Sequence, residues 1–565
     1  MCVLPRRFRS CATLAVKIVY LLLVLTTATT LVCAQLPHFE HIILIVQENR
    51  TPDNLFGAAP AIHVCGNSYP FETGVDIRDG GPDYYSQGLD RCLVSQPLNT
   101  CWDVGHFHTH WNNQADIDIT VNPPVAKMDK ACGTPTFAET QNCAPPTDCP
   151  QYSFVQKSNV QPYFDIATNY GFANYMFQTN QGPSFPAHQF LLSGTSAPTF
   201  QDSGHYYLYF VGENAYGSCE SSIGGNADWV DFLGGDFSAF PSPYSINSTW
   251  HDCYDHPTLV DQLQPHGISW RYYSASRDQA LWTAVNAIHH LCYKDPNTQP
   301  GAPCDTDYWK PNGNMSFPAG TITSVPVLTD IDNCQLQQVS WVTPDERWSD
   351  HAGGNLGLGP SYVADIVDAI GNSGCTDSIG TNSYTYWQDT AIFIVWDDWG
   401  GWYDHVAPPA NMLLRQYQGK TNNCTDPRQI WGCGYTYGFR VPLLVVSAYT
   451  PAGYVSGNTT LPGGGFKYPY IHDFGSILRF IEKNFSLNYV ASPNPYYADY
   501  NAPDNGEHLG GDGNIPLSDF FQGSYRIFTN IQPAAGKDAD YFTGYFGRQE
   551  NQGQAPEGPD GDDAD

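Results

Sequence analysis

Apolar residues in this chain cluster in short unbroken blocks that stop abruptly at polar ones. Residues 42–46, 391–395 and 443–446 are runs of Ile, Leu, Val, Ala and Phe with no polar alternation, the pattern of strands buried on both faces. Residues 267–273 and 338–342 also read as strands. Helical periodicity is expected over residues 163–175, 187–192, 257–263, 284–291, 361–370 and 477–484. Helices interspersed with doubly buried strands predict an α/β fold, in which ligands bind outside the carboxyl ends of the strands.

Two strand ends carry matching chemistry. Residues 42–46 run into Gln47-Glu48-Asn49-Arg50, followed by the turn signals Pro52, Asp53, Asn54 and Gly57. The block at 391–395 runs through Trp396 into Asp397-Asp398, then Gly400-Gly401 and Asp404-His405. Adjacent carboxylates repel unless a cation lies near them, so Asp397 and Asp398 favour an oxygen-ligand metal site over a solvated turn. Glu48 and Asn49 supply the same chemistry from a second strand end, the alternative being that they only cap the next helix. Elsewhere Gly182-Pro183 forces a bend before Ser184, which would open a helix near backbone N–H groups favourable to an anion; an ordinary helix cap is the plainer alternative. His106, His108 and His110 alternate and would share a strand face or cluster on a loop, a metal- or phosphate-binding pattern or a simple surface patch.

Charge and cysteine usage narrow the class. A formal charge of −31 argues against nucleic acid or an anionic membrane as partner. Basic residues Arg6, Arg7, Arg9 and Lys17, an apolar stretch over 18–25, and Val32-Cys33-Ala34 predict a cleaved export signal over residues 1–34 with no stable membrane anchor. Beyond Cys2, Cys11 and Cys33 an even number of cysteines is scattered without C-x-x-C pairs, which reads as disulfides in a secreted or periplasmic protein; Cys424 and Cys433 would close a small loop. Loop-rich inserts are expected at about residues 58–152, 200–250 and 295–318 within a single domain over 35–547, with an acidic disordered tail over 548–565.

These blocks, in order, resemble the bacterial phospholipase C and acid phosphatase family of phosphoesterases, part of the alkaline-phosphatase-like superfamily. The resemblance runs from His41 to about Asn484. It rests on Glu48-Asn49-Arg50 with Phe56-Gly57, on Gly182-Pro183-Ser184-Phe185-Pro186, and on Asp397-Asp398 with Gly400-Gly401 and Tyr403-Asp404-His405-Val406, supported by Arg440-Val441-Pro442. It implies a three-layer α/β/α core around a mostly parallel sheet, and metal-assisted attack on a phosphate mono- or diester through a phosphoserine. By the same resemblance Glu48, Asn49, Asp397 and Asp398 hold a divalent cation, Ser184 is the nucleophile, and His106, His290 and His351 bind phosphate or move protons. Asp404 and His405 are further site candidates. The substrate would be a small phosphate ester or a phospholipid; a silent binding protein on the same fold is the rival reading. The chain departs from the family pattern at Thr51-Pro52-Asp53-Asn54, where substrate choice would be set, at Ala187-His188, and at Trp399 after the two aspartates.

Overall fold

Strand β1, His41–Gln47, is buried at all seven positions, as its unbroken apolar run requires. The computed structural model describes residues 37–57, 93–118, 125–128, 136–138, 143, 145, 149–196, 201–202, 205–206, 209–211, 218–220, 229–231, 253–274, 282–306, 308–311, 325–379, 381–404, 406, 408, 437–457, 471–491, 497–502 and 515–543. The segments read from the sequence as an export signal and an acidic tail, together with Cys424, Cys433 and His405, therefore lie outside the described residues. All elements below belong to the unit that begins at His38.

Eight strands form one sheet: β1, β2 (Gly171–Ala173), β3 (Trp270–Ser274), β4 (Trp309–Pro311), β5 (Val339–Val342), β6 (Thr390–Trp396), β7 (Leu443–Ser447) and β8 (Tyr454–Ser456), in the spatial order β4-β3-β5-β1-β6-β7-β2-β8. Every pairing is parallel except the two that β7 makes, with β6 and with β2. At the centre, β1 and β6 pair from His41↔Thr390 to Gln47↔Trp396, and all seven residues of β6 are buried.

The principal helices are α1 (Pro52–Phe56), α2 (His108–Gln114), α3 (Gln161–Asn169), α4 (Ser184–Ser193), α5 (Gly359–Gly371) and α6 (Phe474–Asn484). Side chains alternate along a strand, and that parity sorts the helices. Phe393 of β6 meets Phe480 of α6 edge-on at 5.2 Å, while Trp396, of opposite parity, meets Tyr163 of α3 at 5.0 Å. Trp341 of β5 lies in register with Leu44 and hence with Phe393, and its indole N–H donates to Leu191 O of α4 at 3.0 Å. Helices α4 and α6 thus pack together on one face, and α3 packs on α5 on the other. The result is the expected α/β/α layering around a mostly parallel sheet.

Local structure departs from the sequence reading in understandable places. The helix expected over 163–175 stops at Asn169, because Gly171–Ala173 joins the sheet edge instead. Residues 284–291 form a 3₁₀ turn and a short helix broken at Ile288, which bridges to Tyr254. The loop-rich stretches are pinned by Cys101–Cys143, Cys219–Cys253 and Cys292–Cys304, while Cys334–Cys375 ties the end of helix Pro326–Asp332 to the hairpin Thr376–Ile379/Asn382–Thr385. No helix among the described residues is long and apolar enough to cross a membrane.

Candidate active site

Because β1 and β6 are parallel neighbours in register, their carboxyl ends release Glu48-Asn49 and Asp397-Asp398 side by side. Backbone contacts lock the two ends together. Asp397 N donates to Gln47 O (2.9 Å), Arg50 N to Asp398 O (3.1 Å), and Asn49 N to Asp397 Oδ1 (3.0 Å). Asn49 sits at φ +60°, a left-handed conformation that asparagine tolerates better than most residues. Gly400 at φ +59° completes the approach: a Cβ there would stand 2.2 Å from Asn49 O.

Neither plainer alternative describes these residues. Thr51, not Glu48 or Asn49, caps α1 by accepting from Asn54 N. Ser184 is the first residue of α4, with Pro183 at the cap position, and makes no capping bond. Its Oγ instead lies 3.3 Å from Asp398 Oδ2, 3.4 Å from Glu48 Oε2 and 3.4 Å from Asn49 Oδ1. Three distant stretches of chain meet at one hydroxyl, and Glu48, Asn49, Ser184, Asp397 and Asp398 are all fully buried.

Two of the three candidate histidines join them. His106 Nδ1 lies 2.8 Å from Val104 O, and His351 Nδ1 2.6 Å from Ala352 O. A carbonyl only accepts, so each neutral ring carries its proton on Nδ1 and turns the Nε2 lone pair outward. Both lone pairs face one end of the Asn49 carboxamide, at 3.1 and 2.8 Å. With neutral rings that end is the NH₂, which turns Asn49 Oδ1 toward Asp397, Asp398 and Ser184. The reversed carboxamide would donate to Asp397 Oδ1 and Asp398 Oδ2 at 3.3 Å, but requires both rings to be protonated on Nε2. The arrangement with neutral rings collects oxygen lone pairs around one point, a cluster that a cation, or a proton on Asp398, relieves.

The electrostatics lead to the same conclusion. Burial first, and then the Asp397 carboxylate, push the Asp398 carboxyl well above its ordinary range. His188 reaches the acids with Nε2, 3.2 Å from Glu48 Oε1 and 3.6 Å from Asp397 Oδ2. Burial holds its pKa down to about 4, so it brings no charge near neutral pH. Its Nδ1 and Asp397 Oδ2 have no hydrogen-bond partner. Carboxylates, a carboxamide oxygen and an imidazole, several of them under-satisfied, form a donor set that fits a divalent cation, and Glu48, His188 and Asp397 alone place ligand atoms within 4.8 Å of one another.

His188 is not among the site residues that the sequence pointed to, although it stands four residues after Ser184 and so shares its helix face. Other candidates lie elsewhere. His290 pairs with Asp255 and Asp261, is one-third exposed, and has no bond to Ser184, Asn49 or the buried acids. Asp404 is gripped by the Arg440 guanidinium, Nε to Oδ1 at 3.0 Å and Nη2 to Oδ2 at 3.1 Å. Of the alternating histidines only His106 reaches Asn49. His108 Nδ1 meets Gln181 O, while His110, one helical turn on, accepts from Phe107 N, so a helix start rather than a shared face separates them. The Arg50–Asn54 segment is framework: Arg50 donates to Asp350 O, Leu98 O and Asn54 Oδ1, and Thr51 Oγ1 to Tyr403 O.

Comparison with known proteins adds an independent line. A family model described as the phosphoesterase family matches residues 39–488. The chain is 27% identical over 494 residues to a non-hemolytic phospholipase C of Burkholderia pseudomallei, covering 80% of this chain and 56% of that protein. It is 22% identical over 469 residues to a non-hemolytic phospholipase C of Pseudomonas aeruginosa, covering 79% and 54%. With phospholipase C B of Mycobacterium tuberculosis it shares 25% identity over 434 residues, 74% of this chain and 69% of that one. The chain thus spans about half the length of the first two relatives. Among solved structures, murine ectonucleotide pyrophosphatase/phosphodiesterase 5 overlays with a TM-score of 0.30 at 8% identity, over 61% of this chain and 94% of that one, an overlap too slight to carry an argument.

Proposed function

Because this chain belongs to the phosphoesterase family, we propose that it is an exported hydrolase of phosphate mono- or diesters, with Ser184 as nucleophile in a divalent-cation site. The carrying observation is the convergence on Ser184 Oγ of Glu48, Asn49 and Asp398 at 3.3–3.4 Å. Glu48, Asn49, Asp397 and Asp398 would hold the cation, with His188 beside Glu48 and Asp397. Bound there, a divalent cation supplies neutralisation of phosphoryl charge and a lowered pKa for a nearby hydroxyl.

The chain's own groups account for the rest. Ser184 Oγ gives its proton to a facing carboxylate, Asp398 or Glu48, and bonds to phosphorus in line with the ester oxygen, which leaves as the alcohol after taking a proton from water. The hydroxide left by that water attacks the phosphoserine, and Ser184 Oγ takes its proton back from the carboxylate as phosphate is released. The start of α4 faces the same space, where its dipole favours phosphoryl oxygens. His106 and His351 act through Asn49, as positioning residues that keep its carbonyl turned inward. The phospholipase C names of the relatives support a phospholipid diester among the substrates, while the histidine at position 188 is where this chain's site differs in chemistry from the family pattern.

A chromogenic phosphomonoester, a phosphodiester and a phosphorylcholine ester, each assayed with and without chelator, test the reading. Turnover of at least one is expected, abolished by chelation and reduced on the order of 10³-fold or more in Ser184→Ala. Undiminished turnover in Ser184→Ala would remove Ser184 from the chemistry.

A further inference from the structure

At the opposite end of the same two strands lies a second cluster. His41 opens β1, Asp389 immediately precedes β6, and Asp377 reaches across from the Thr376–Ile379 strand of the hairpin. The seven-residue strands separate this cluster from the acids at their carboxyl ends by roughly 20 Å. We propose that His41, Asp377 and Asp389 form a divalent-cation site, structural rather than catalytic, that clamps the hairpin to the base of the sheet.

Its donors are arranged as a ligating set. His41 Nδ1 donates to Gln337 O at 2.9 Å, the outer contact that commonly fixes a metal-binding imidazole and turns its other nitrogen into the ligand. That nitrogen, Nε2, faces Asp377 Oδ2 at 2.9 Å, and the Tyr386 ring packs against the imidazole in a T-shaped contact with centroids 4.6 Å apart. Each of the three residues offers an atom within 4.8 Å of the others; ligands about 2.0–2.2 Å from a tetrahedral zinc lie roughly 3.4 Å apart.

Asp389 carries the argument. It is 1% exposed, and neither carboxylate oxygen has a hydrogen-bond partner beyond the residue's own backbone. A cation satisfies all three, whereas a proton on His41 Nε2 would satisfy only His41 and Asp377. Asp389 would then have the field of the His41 imidazolium but no hydrogen bond to it, and a buried carboxylate held only in that way is costly. The Asp377 side chain is 27% exposed against 3% for His41, so ions and completing waters have an entrance. One imidazole with two carboxylates suits a first-row transition cation such as zinc better than magnesium or calcium.

The test uses the full mature protein, stripped with chelator, reloaded with zinc, desalted and counted by elemental analysis. Asp377→Asn, a partly exposed hairpin position, is expected to hold one zinc fewer per chain than the wild type, to keep its turnover, and to lose part of the zinc-dependent rise in Tm. The isosteric Asp389→Asn should lose the same equivalent. Asp397→Asn should lose its own zinc and its activity while retaining this one, so a failure of the catalytic reading is visible separately. Equal zinc in wild type, Asp377→Asn and Asp389→Asn would overturn the proposal, leaving a proton-closed His41–Asp377 pair.

Discussion

Replacing Gly400 with alanine tests whether the two strand ends must touch. Gly400 occupies φ +59°, and a Cβ would fall 2.2 Å from Asn49 O and 2.7 Å from Asn49 C. An L-residue in the left-handed region costs about 1–2 kcal/mol. Overlap with backbone, which cannot swing away like a side chain, adds about 1–3 kcal/mol. Gly267 provides the control: it sits at φ +73°, and a Cβ there would meet nothing within 4 Å, so Gly267→Ala carries the conformational cost alone. At an unfolding entropy of about 2.1 cal/mol/K per residue, 1 kcal/mol shifts the Tm of a cooperative unit this large by about 1 °C. Gly400→Ala should therefore melt about 2–5 °C below wild type and Gly267→Ala about 1–2 °C below. Activity separates them further. Moving Asn49 away from Asp398 by a fraction of an ångström to about 1 Å should lower kcat/KM by up to about 100-fold, with Gly267→Ala unchanged. Calorimetry and the chromogenic ester assay read both. Equal melting shifts with undiminished kcat/KM in Gly400→Ala would refute the claim that close contact between the strand ends builds the site.

Three further outcomes follow from the electrostatics. Burial first, then Asp368 and Asp538, push the Asp365 carboxyl of α5 up to about 8; a raised folded-state pKa gives stability that is complete below the unfolded value and lost as pH rises through the folded one. Asp365→Asn should accordingly flatten the decline in Tm between about pH 4 and pH 8, and an unchanged slope would contradict the shift. Arg440 is buried between Asp404 and Asp53, so Arg440→Met, which takes the guanidinium from both carboxylates, should cost about 3–5 kcal/mol in denaturant melts; a wild-type midpoint would mean the pairs contribute nothing. Adding a divalent cation to chelator-stripped protein in weak, mildly acidic buffer should release protons, because the Asp398 carboxyl held high by burial must ionise to bind. Calorimetric binding whose heat is the same in buffers of different ionisation enthalpy would count against it.

How much of this was legible in the chain depended on whether the signal was local. The blocks at 42–46, 391–395 and 443–446 announced buried strands because both faces of a strand at the centre of a covered sheet are apolar, and the polar residues after two of them marked the site end. The short strands Gly171–Ala173, Trp309–Pro311 and Tyr454–Ser456, at or next to the sheet edges, were not anticipated, being only three residues long and recruited by neighbours distant in sequence. Ser184 carried a local bend signal, but its acidic company could not be read from the chain alone. His290 drew attention through a His-His doublet, yet its ring is claimed by Asp255 and Asp261. His188 offered a spacing clue, four residues from Ser184, that gains meaning only once α4 is aimed at Glu48. Asn49's orientation depends on two ring tautomers fixed by the carbonyls of Val104 and Ala352, information no sequence pattern carries.

The central pairing of β1 with β6 joins residues some 350 positions apart, from His41↔Thr390 to Gln47↔Trp396. Contacts of such long sequence separation form late in folding, since a large loop must close before they return any stabilisation. Glu48 and Asn49 are synthesised some 350 residues before Asp397 and Asp398. A nascent chain that has not yet reached Asp397 therefore holds Ser184, Glu48 and Asn49 without the two aspartates. The proposed site closes in one step with the insertion of β6, so the order of synthesis itself delays whatever activity that site has until this strand has been made.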